Sequence, residues 1–320
     1  MKRFSHARAL MALLLCLCSS GFAIAEEPAV YTAISDIDFH IRPEAGASKH
    51  LKKVREDVTV EVLEYGESWC RVRYKDTEGY AQTKWLWGFV SLDPLGHPNP
   101  LFTPMKGLVR LSRETEIKGG AFSGLNAQAG ILIAVYGEEL SLPVWRGETA
   151  LSAEDGVYTP FTSWQEAQPG DVIGGFTTYY NARTGAPLAT ERQHNIALGC
   201  ERIDGHVVEV GESFSFNELC APYKQSNGYL VAKNISHVGK GPGGGVCQVS
   251  TTLYNALLGL PLKITRWAAH RKRGVQYIPR SFDAAVGTYT DLCFENTLPY
   301  AVRLTALPQD GAVTVLISRN

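Results

Sequence analysis

The chain has 320 residues, 45% of them hydrophobic and 20% charged, with 31 Lys and Arg against 32 Asp and Glu. That length exceeds what one core usually holds, so two or three domains are expected. A formal net charge of −1 gives no electrostatic footprint for nucleic acid or for an anionic membrane surface.

Residues 1–25 read as a secretory signal. Lys2, Arg3 and Arg8 precede the apolar run ALMALLLCLCSSG, and Ala23-Ile24-Ala25 forms an A-x-A cleavage site before Glu26. A lipoprotein anchor fits less well, because bulky Leu15 and Leu17 precede Cys16 and Cys18 where a small residue is expected. Removing the signal removes those three basic residues and leaves a net charge of −4. No later stretch reaches the ~18 apolar residues of a membrane span. The mature chain is therefore expected without a transmembrane segment, exported to the periplasm or cell surface. It keeps Cys70, Cys200, Cys220, Cys247 and Cys293. In an oxidising compartment an odd number leaves at least one free thiol. Cys200 and Cys220 are a candidate pair and Cys247 the candidate free thiol. No CxxC or Cys/His metal spacing occurs, so no metal or other cofactor is expected, with Cys247 plus His270 or His237 as the one ligand set left open.

Residues 29–98 alternate apolar and polar side chains in DIDFHIRPEAGASKHLKKV, VTVEVLEYGESWCRVRY and KWLWGFVSL. A period of two marks strands, with Gly66, Glu67 and Ser68 turning a hairpin between Tyr65 and Trp69. IRPEAGAS (Ile41 to Ser48), ESWCRVRY and the aromatic strand ending resemble a bacterial SH3-like domain. The resemblance implies a small β-barrel that anchors an exported protein to cell-wall polymers or peptides; alternatively the barrel is structural. Trp69 is expected in the core, whereas Trp85 and Trp87 fit either a core or a ligand platform. The prolines of GHPNPLFTP then mark a linker. GLVRLSRETEI and AGILIAVYGEELSLPVWRGE predict a second small β module within 99–170, with Trp145 and Trp164 as packing residues.

From residue 171 the texture changes. Ile196, Ala197, Cys200 and Ile203 predict a helix of two to three turns, with His194 and Asn195 at its start, where asparagine can cap. A short aromatic strand (Phe214, Phe216) and a polar loop lead into GPGGGVCQVSTTLYNALLGL, Gly241 to Leu260. There the period becomes helical: Val249, Leu253, Ala256, Leu257 and Leu260 share one stripe, and Gly259 and Pro261 end the helix. Cys247 lies about 160° from Val249, off that stripe and beside Ser250, Thr251, Tyr254 and Leu258. No Ser, Thr, Asp or Asn immediately precedes it to cap the helix. A helix N-terminus favours thiolate over thiol, and glycines let backbone N–H groups reach a developing oxyanion. The same features also serve packing, since cysteine is among the most buried residue types. LKITRWAAH reads as a strand ending near His270. DLCFEN, YAVRLTAL and AVTVLIS read as antiparallel strands with an Asp310-Gly311 hairpin turn. The fold class expected is α+β and multidomain: small barrels first, then over 171–320 one or two helices on a mixed, largely antiparallel sheet.

FSFNE (Phe214 to Glu218), NGYLVAKNI (Asn227 to Ile235), GGGVCQVSTTLYNALL (Gly243 to Leu258), His270, QYIP (Gln276 to Pro279), DAAV (Asp283 to Val286) and TDLCFEN (Thr290 to Asn296) follow in this order. Together they resemble the VanW-like family of exported cell-envelope proteins, from about Thr177 to Leu307, and HNIALG resembles its upstream segment. One departure stands out: the family pattern has a glycine two residues before DA, where this chain has Ser281. The resemblance implies an envelope role linked to glycopeptide-resistance gene clusters and carries no agreed reaction.

Cys247, His270 and Asp283 occur in the chain order of a thiol nucleophile, a histidine base and an orienting carboxylate. Gly244, Gly245 or the Cys247 N–H are candidate oxyanion donors, and Gln248 a candidate amide donor. Arg271, Lys272, Arg273 and Arg280 form a basic patch suited to carboxylates of peptidoglycan stems, with Tyr277 a further substrate-binding candidate. Read blandly, His270 ends a strand, Asp283 caps a turn and the basic patch is a solvated face. Two functions follow: a thiol-dependent hydrolase or transpeptidase acting on peptide bonds of peptidoglycan, or a non-catalytic protein binding peptidoglycan, a cell-wall peptide or an envelope partner.

Overall fold

The computed structural model describes residues 29–33, 37–44, 50–55, 58–64, 66, 68–82, 86–89, 97, 100–119, 125–145, 147, 149–181, 189–234, 239–270, 274–279 and 281–320. The secretory signal expected at 1–25 lies outside them. No helix among the described residues is long and apolar enough to cross a membrane.

The first region is one antiparallel sheet of β1 (Ala29–Ala33), β2 (Ile37–His40), β3 (His50–Val54), β4 (Thr59–Glu64), β5 (Trp69–Tyr74), β6 (Thr77–Gln82) and β7 (Leu86–Phe89). Alternation in WCRVRY puts Cys70 and Val72 into a core with Phe39, Val60, Val62 and Ala81. The order β3-β2-β6-β5-β4-β1-β7 leaves β3 and β7 as edges among the described residues. The sheet is thus open, not the closed barrel expected. Trp69 is partly buried, edge-on to His40 at 5.2 Å; Trp85 and the side chain of Trp87 lie outside the described residues.

The second region is built from β8 (Met105–Leu111), β9 (Thr115–Ile117), β10 (Leu125–Ala127), β11 (Leu132–Tyr136) and β12 (Gly156–Pro160), as a β11-β8-β12 sheet and a β9-β10 hairpin. Its core of Ile117, Ile133, Val135, Leu142 and Val144 extends into Tyr179 and Ala312 of the C-terminal sheet. The Ala134 N–H also donates to Thr177 Oγ1 at 2.9 Å, and the Gln309 amide spans the Leu132 N–H and C=O at 2.6 and 2.8 Å. The stretch expected to be a linker is packed as well. Leu101 and Phe102 are buried in the C-terminal core, and the His97 ring lies 5.5 and 5.0 Å from those of Tyr254 and Trp267. Burying two large apolar side chains contributes roughly 1.5–3 kcal/mol each, enough to hold a proline-rich segment down.

The C-terminal region contains β13 (Val172–Tyr179), α1 (Ala189–Ile203), β14 (Val207–Val208), β15 (Ser213–Ser215), α2 (Phe216–Cys220), β16 (Val231–Lys233), β17 (Lys240–Pro242), α3 (Val246–Leu258), β18 (Lys263–Arg266), β19 (Cys293–Glu295), β20 (Val302–Gln309) and β21 (Ala312–Arg319). They form three antiparallel sheets: β13-β21-β20-β14, β15-β19-β18 and β16-β17. The β20–β21 hairpin turns at Asp310-Gly311, with Gly311 at φ 75. Helix α3 lies against β13 and β21 and packs on α1, where an added Cβ on Gly199 would touch Val249 and Val246 at 3.4 and 3.5 Å.

Two expectations are corrected here. Helix α1 starts at Ala189, so Asn195 sits in its middle and caps nothing; Glu191 in the first turn complements the helix dipole and lets the helix begin early. Cys200 and Cys220 are separate free thiols. Both are sealed in the apolar core, where burial pushes Cys220 up to about 12 and Cys200 higher still.

Candidate active site

Helix α3 has no bare face. Its apolar stripe, Val249, Leu253, Ala256 and Leu257, is buried as the periodicity requires. Its polar side is buried too, because residues 281–286 lie along it. Ser250 Oγ donates to the Ala284 carbonyl at 2.8 Å, the Ala284 N–H donates to Thr251 Oγ1 at 3.0 Å, and Asn255 Nδ2 donates to the Phe282 carbonyl at 2.8 Å. Short hydroxyl and amide side chains thus give a loop the partners that a strand would give, and a buried backbone needs them. The loop they dock carries Asp283.

Asp283 is fully buried. Its Oδ2 accepts from the His270 backbone N–H at 2.8 Å and lies 2.6 Å from His270 Nδ1. Its Oδ1 accepts from the Ser281 N–H at 3.2 Å, and its carbonyl takes the Trp267 indole N–H at 2.9 Å. The imidazole faces Cys247 as well. Burial opposes protonation of His270, but hydrogen bonding to Asp283 and to Cys247, with the charge on both, pushes it up to about 10. Cys247 is partly buried at the second position of α3, and its thiol donates to the Val286 carbonyl at 3.5 Å. The N-cap, Gly245, makes no side-chain cap. Among the described residues the Cys247 N–H has no hydrogen-bond partner.

The glycines before Cys247 pack against protein. A Cβ at Gly244 would lie 2.6 Å from the Lys233 carbonyl oxygen, a clash between backbones that cannot relax, and the Gly244 N–H is directed to the Gly241 carbonyl at 3.4 Å. Gly245 adopts φ 113, and a Cβ there would meet Arg192 Cγ at 3.0 Å. Asn195 clamps the turn. Fully buried, it donates to the carbonyls of Leu230 and Gly244 at 2.9 and 3.0 Å and accepts from the Leu230 N–H at 2.8 Å. Gln248 is also enclosed, with Nε2 donating to Thr178 Oγ1 and the Tyr179 carbonyl at 3.1 and 2.9 Å. Its Oε1 accepts from Arg192 Nη2 at 2.7 Å. Both amide hydrogens are therefore engaged inside the fold.

Tyr277 is partly buried, bonded to Thr251, and feels the charges of Cys247 and Arg192; burial raises its phenol far above the ordinary value. The basic patch expected at Arg271, Lys272, Arg273 and Arg280 lies outside the described residues. Arg192 was missed by the sequence reading. The available signal was its position one turn before Ile196 on the buried face of α1, where an arginine needs a reason. Among the described residues no group of three or more His, Cys, Asp and Glu could hold a metal.

Residues 191–318 match the VanW like protein family. A curated protein of Bacillus subtilis (strain 168), YoaR, described as uncharacterized, is 34% identical over 148 residues, 45% of this chain and 47% of the relative. The chain thus spans about half the length of that relative. NlpC1 and NlpC2 from Trichomonas vaginalis align with 61% and 56% of this chain, covering 59% and 58% of theirs, at 10% and 7% identity and a TM-score of 0.18 each. A likeness at that level supports no inference about fold or chemistry. Within the VanW-like region Ser281 occupies φ 73. That left-handed conformation favours glycine, the residue expected at this position from the family resemblance, and here serine occupies it in the turn before Asp283.

Proposed function

We propose that this chain is an exported, cell-envelope cysteine acyl-transfer enzyme that hydrolyses or exchanges peptide bonds of peptidoglycan. The observation that carries the reading is the imidazole of His270, held by buried Asp283 at 2.6 Å on one side and interacting with the Cys247 thiol on the other. A thiolate beside an imidazolium is the activated form of such a nucleophile.

In the first half-reaction the Cys247 thiolate attacks the scissile carbonyl carbon. A C–S bond forms and the carbonyl π electrons move to oxygen, where the unpartnered Cys247 N–H is the donor in place. Collapse breaks the C–N bond, and the amine leaves with the proton from His270 Nε2. Water then attacks the thioester while His270 takes its proton; the C–S bond breaks, releasing a carboxylic acid and restoring the thiolate. An amine in place of water gives transpeptidation. Asp283 keeps the ring in one orientation and balances its charge throughout. The envelope assignment rests on the signal-like residues 1–25 and on the VanW-like region. The SH3-like motifs of residues 29–98 support a wall-anchoring role for the first sheet.

Binding without catalysis is the second reading. It is favoured by the engagement of the Gly244 N–H and the Gln248 amide within the fold, which leaves few donors for an oxyanion. Incubating the protein with purified peptidoglycan, wild type against Cys247→Ala, and reading muropeptides by mass decides between them. New products from the wild type alone are expected. Unchanged muropeptides together with an unreactive Cys247 toward a thiol probe would rule the enzyme out, and a Cys247→Ser protein with intact affinity would leave a binding module.

A further inference from the structure

We propose that Arg192 forms a carboxylate-binding subsite beside Cys247, so that the substrate is a peptide with a free carboxylate next to its scissile bond. The inference rests on the acyl-transfer reading above and names the substrate class for that site.

Arg192 projects from α1 across the turn that presents the thiol, its stem against Gly245 and its guanidinium 5.7 Å from the centre of the Tyr180 ring. One Nη2 hydrogen is fixed on Gln248 Oε1 at 2.7 Å, and Gln248 is itself pinned by Thr178 and Tyr179. The orientation is therefore set by a buried framework before any ligand arrives. Among the described residues that single bond is the only one its five donors make. Arg202 shows what a purely structural arginine looks like in the same fold. It bonds the Cys220 carbonyl, the Asn227 carbonyl and Asn227 Oδ1 at 2.8, 2.7 and 3.1 Å, and it also stacks on Tyr229.

Arg192 is partly buried and none of its nitrogens is sealed without a partner, so its remaining donors are open to a ligand's negative charge. No carboxylate lies within ion-pair distance of Arg192 among the described residues. The undescribed segments of this region, 182–188, 235–238, 271–273 and 280, contain no Asp or Glu in their sequence. Among the described residues the protein supplies the charge without a carboxylate partner, and a ligand can provide one. A guanidinium with a free edge takes a planar carboxylate through two parallel hydrogen bonds, which an amide cannot match. The stem of Arg192 against Gly245 and its bond to Gln248 put it beside both chain neighbours of the Val246-Cys247 pair, and Arg192 feels the charges of Cys247 and Tyr277.

The test reads the site without turnover. In the full chain, Cys247 is alkylated by iodoacetate and by its neutral analogue iodoacetamide, and the rates are followed by peptide mass mapping. The iodoacetate-to-iodoacetamide ratio is expected to fall about tenfold in Arg192→Gln, the worth of one charge-assisted bond, and to fall less in Arg192→Lys, which keeps the charge but loses the bidentate fork. An unchanged ratio in a folded Arg192→Gln protein overturns the proposal. Should that variant not fold, calorimetry on the Cys247→Ala protein serves instead, with a stem tetrapeptide as free acid and as C-terminal amide. A roughly tenfold preference for the acid is expected; equal affinity, or binding of neither, overturns the proposal. An Arg192-dependent ratio without any muropeptide turnover removes the acyl-transfer reading and leaves the carboxylate subsite standing.

Discussion

Replacing Asp283 by asparagine removes the anion beside His270 while keeping the side chain's size. The carboxylate is fully buried and lies 2.6 Å from Nδ1. Burial acts to lower the pKa of His270, yet its partners hold it at about 10, against about 6.5 for an ordinary histidine. At 1.4 kcal/mol per tenfold change, the difference is at most about 5 kcal/mol of preference for the charged ring, shared between Asp283 and Cys247. Between about 6.5 and about 10 the folded wild type holds a proton that the unfolded chain has lost. The stability this contributes is complete below about 6.5 and disappears as pH rises through about 10, with a slope of up to about 1.4 kcal/mol per pH unit. In Asp283→Asn only Cys247 opposes burial, so the pKa of His270 should fall from about 10, and the pH at which the ring's contribution to stability is lost should fall with it. Ring C–H shifts followed by NMR against pH, with urea unfolding at several pH values, measure both. Turnover should drop by about 10³–10⁴, the scale of the same change in a Ser-His-Asp triad. A His270 midpoint unaltered by the substitution would refute the assignment of Asp283 as its electrostatic partner.

Ser281→Gly should stabilise the protein by about 0.5–1 kcal/mol, because the left-handed strain at φ 73 exceeds the backbone entropy that glycine adds. A urea midpoint that stays put or falls would contradict the strain. Gly244→Ala should cost about 1–3 kcal/mol and alter Cys247 alkylation, since its Cβ would lie 2.6 Å from a carbonyl oxygen that cannot move aside; an alanine protein of wild-type stability would show that the turn is not held by packing. In native protein a thiol reagent should reach Cys247 and Cys293, which are partly buried, well before Cys70, Cys200 and Cys220, which are buried. Unfolding without reductant should expose all five; a mass corresponding to a Cys200–Cys220 disulfide would contradict the free thiols.

Much of this region was legible where one period governs one burial pattern. The Val249-Leu253-Ala256-Leu257 stripe of α3, Cys247 off that stripe and the Asp310-Gly311 hairpin all follow from local rules. The order Cys247, His270, Asp283 identified residues that the fold brings together, because the intervening chain is short. What failed to show were features set by distant partners. Asn195 looks like a cap when read beside its neighbours, yet its three hydrogen bonds go to Leu230 and Gly244. The proline-rich stretch looks like a linker until Leu101 and Phe102 meet a core formed by residues far along the chain. Gln248 and Gly244 carry the chemistry of ligand donors, but β13 and β17 occupy them first.

The polar side of α3 carries the deeper consequence. Ser250, Thr251 and Asn255 would be poor choices for a buried helix face if only apolar contact mattered. Each bonds backbone of residues 282–284, although Asn255 Oδ1 has no partner among the described residues, and Asp283 lies within that span. One helix therefore fixes both halves of the site: the thiol through its first turn, and the histidine–carboxylate pair through the loop docked along its side. Helix α1 supplies the rest, since Asn195 clamps the glycine turn and Arg192 reaches over it from one turn away. The relative placement of Cys247, His270 and Arg192 then depends on two packed helices and the loop docked along α3. Such a framework suits a site that meets its substrate preformed, because the ordering entropy is already spent in folding.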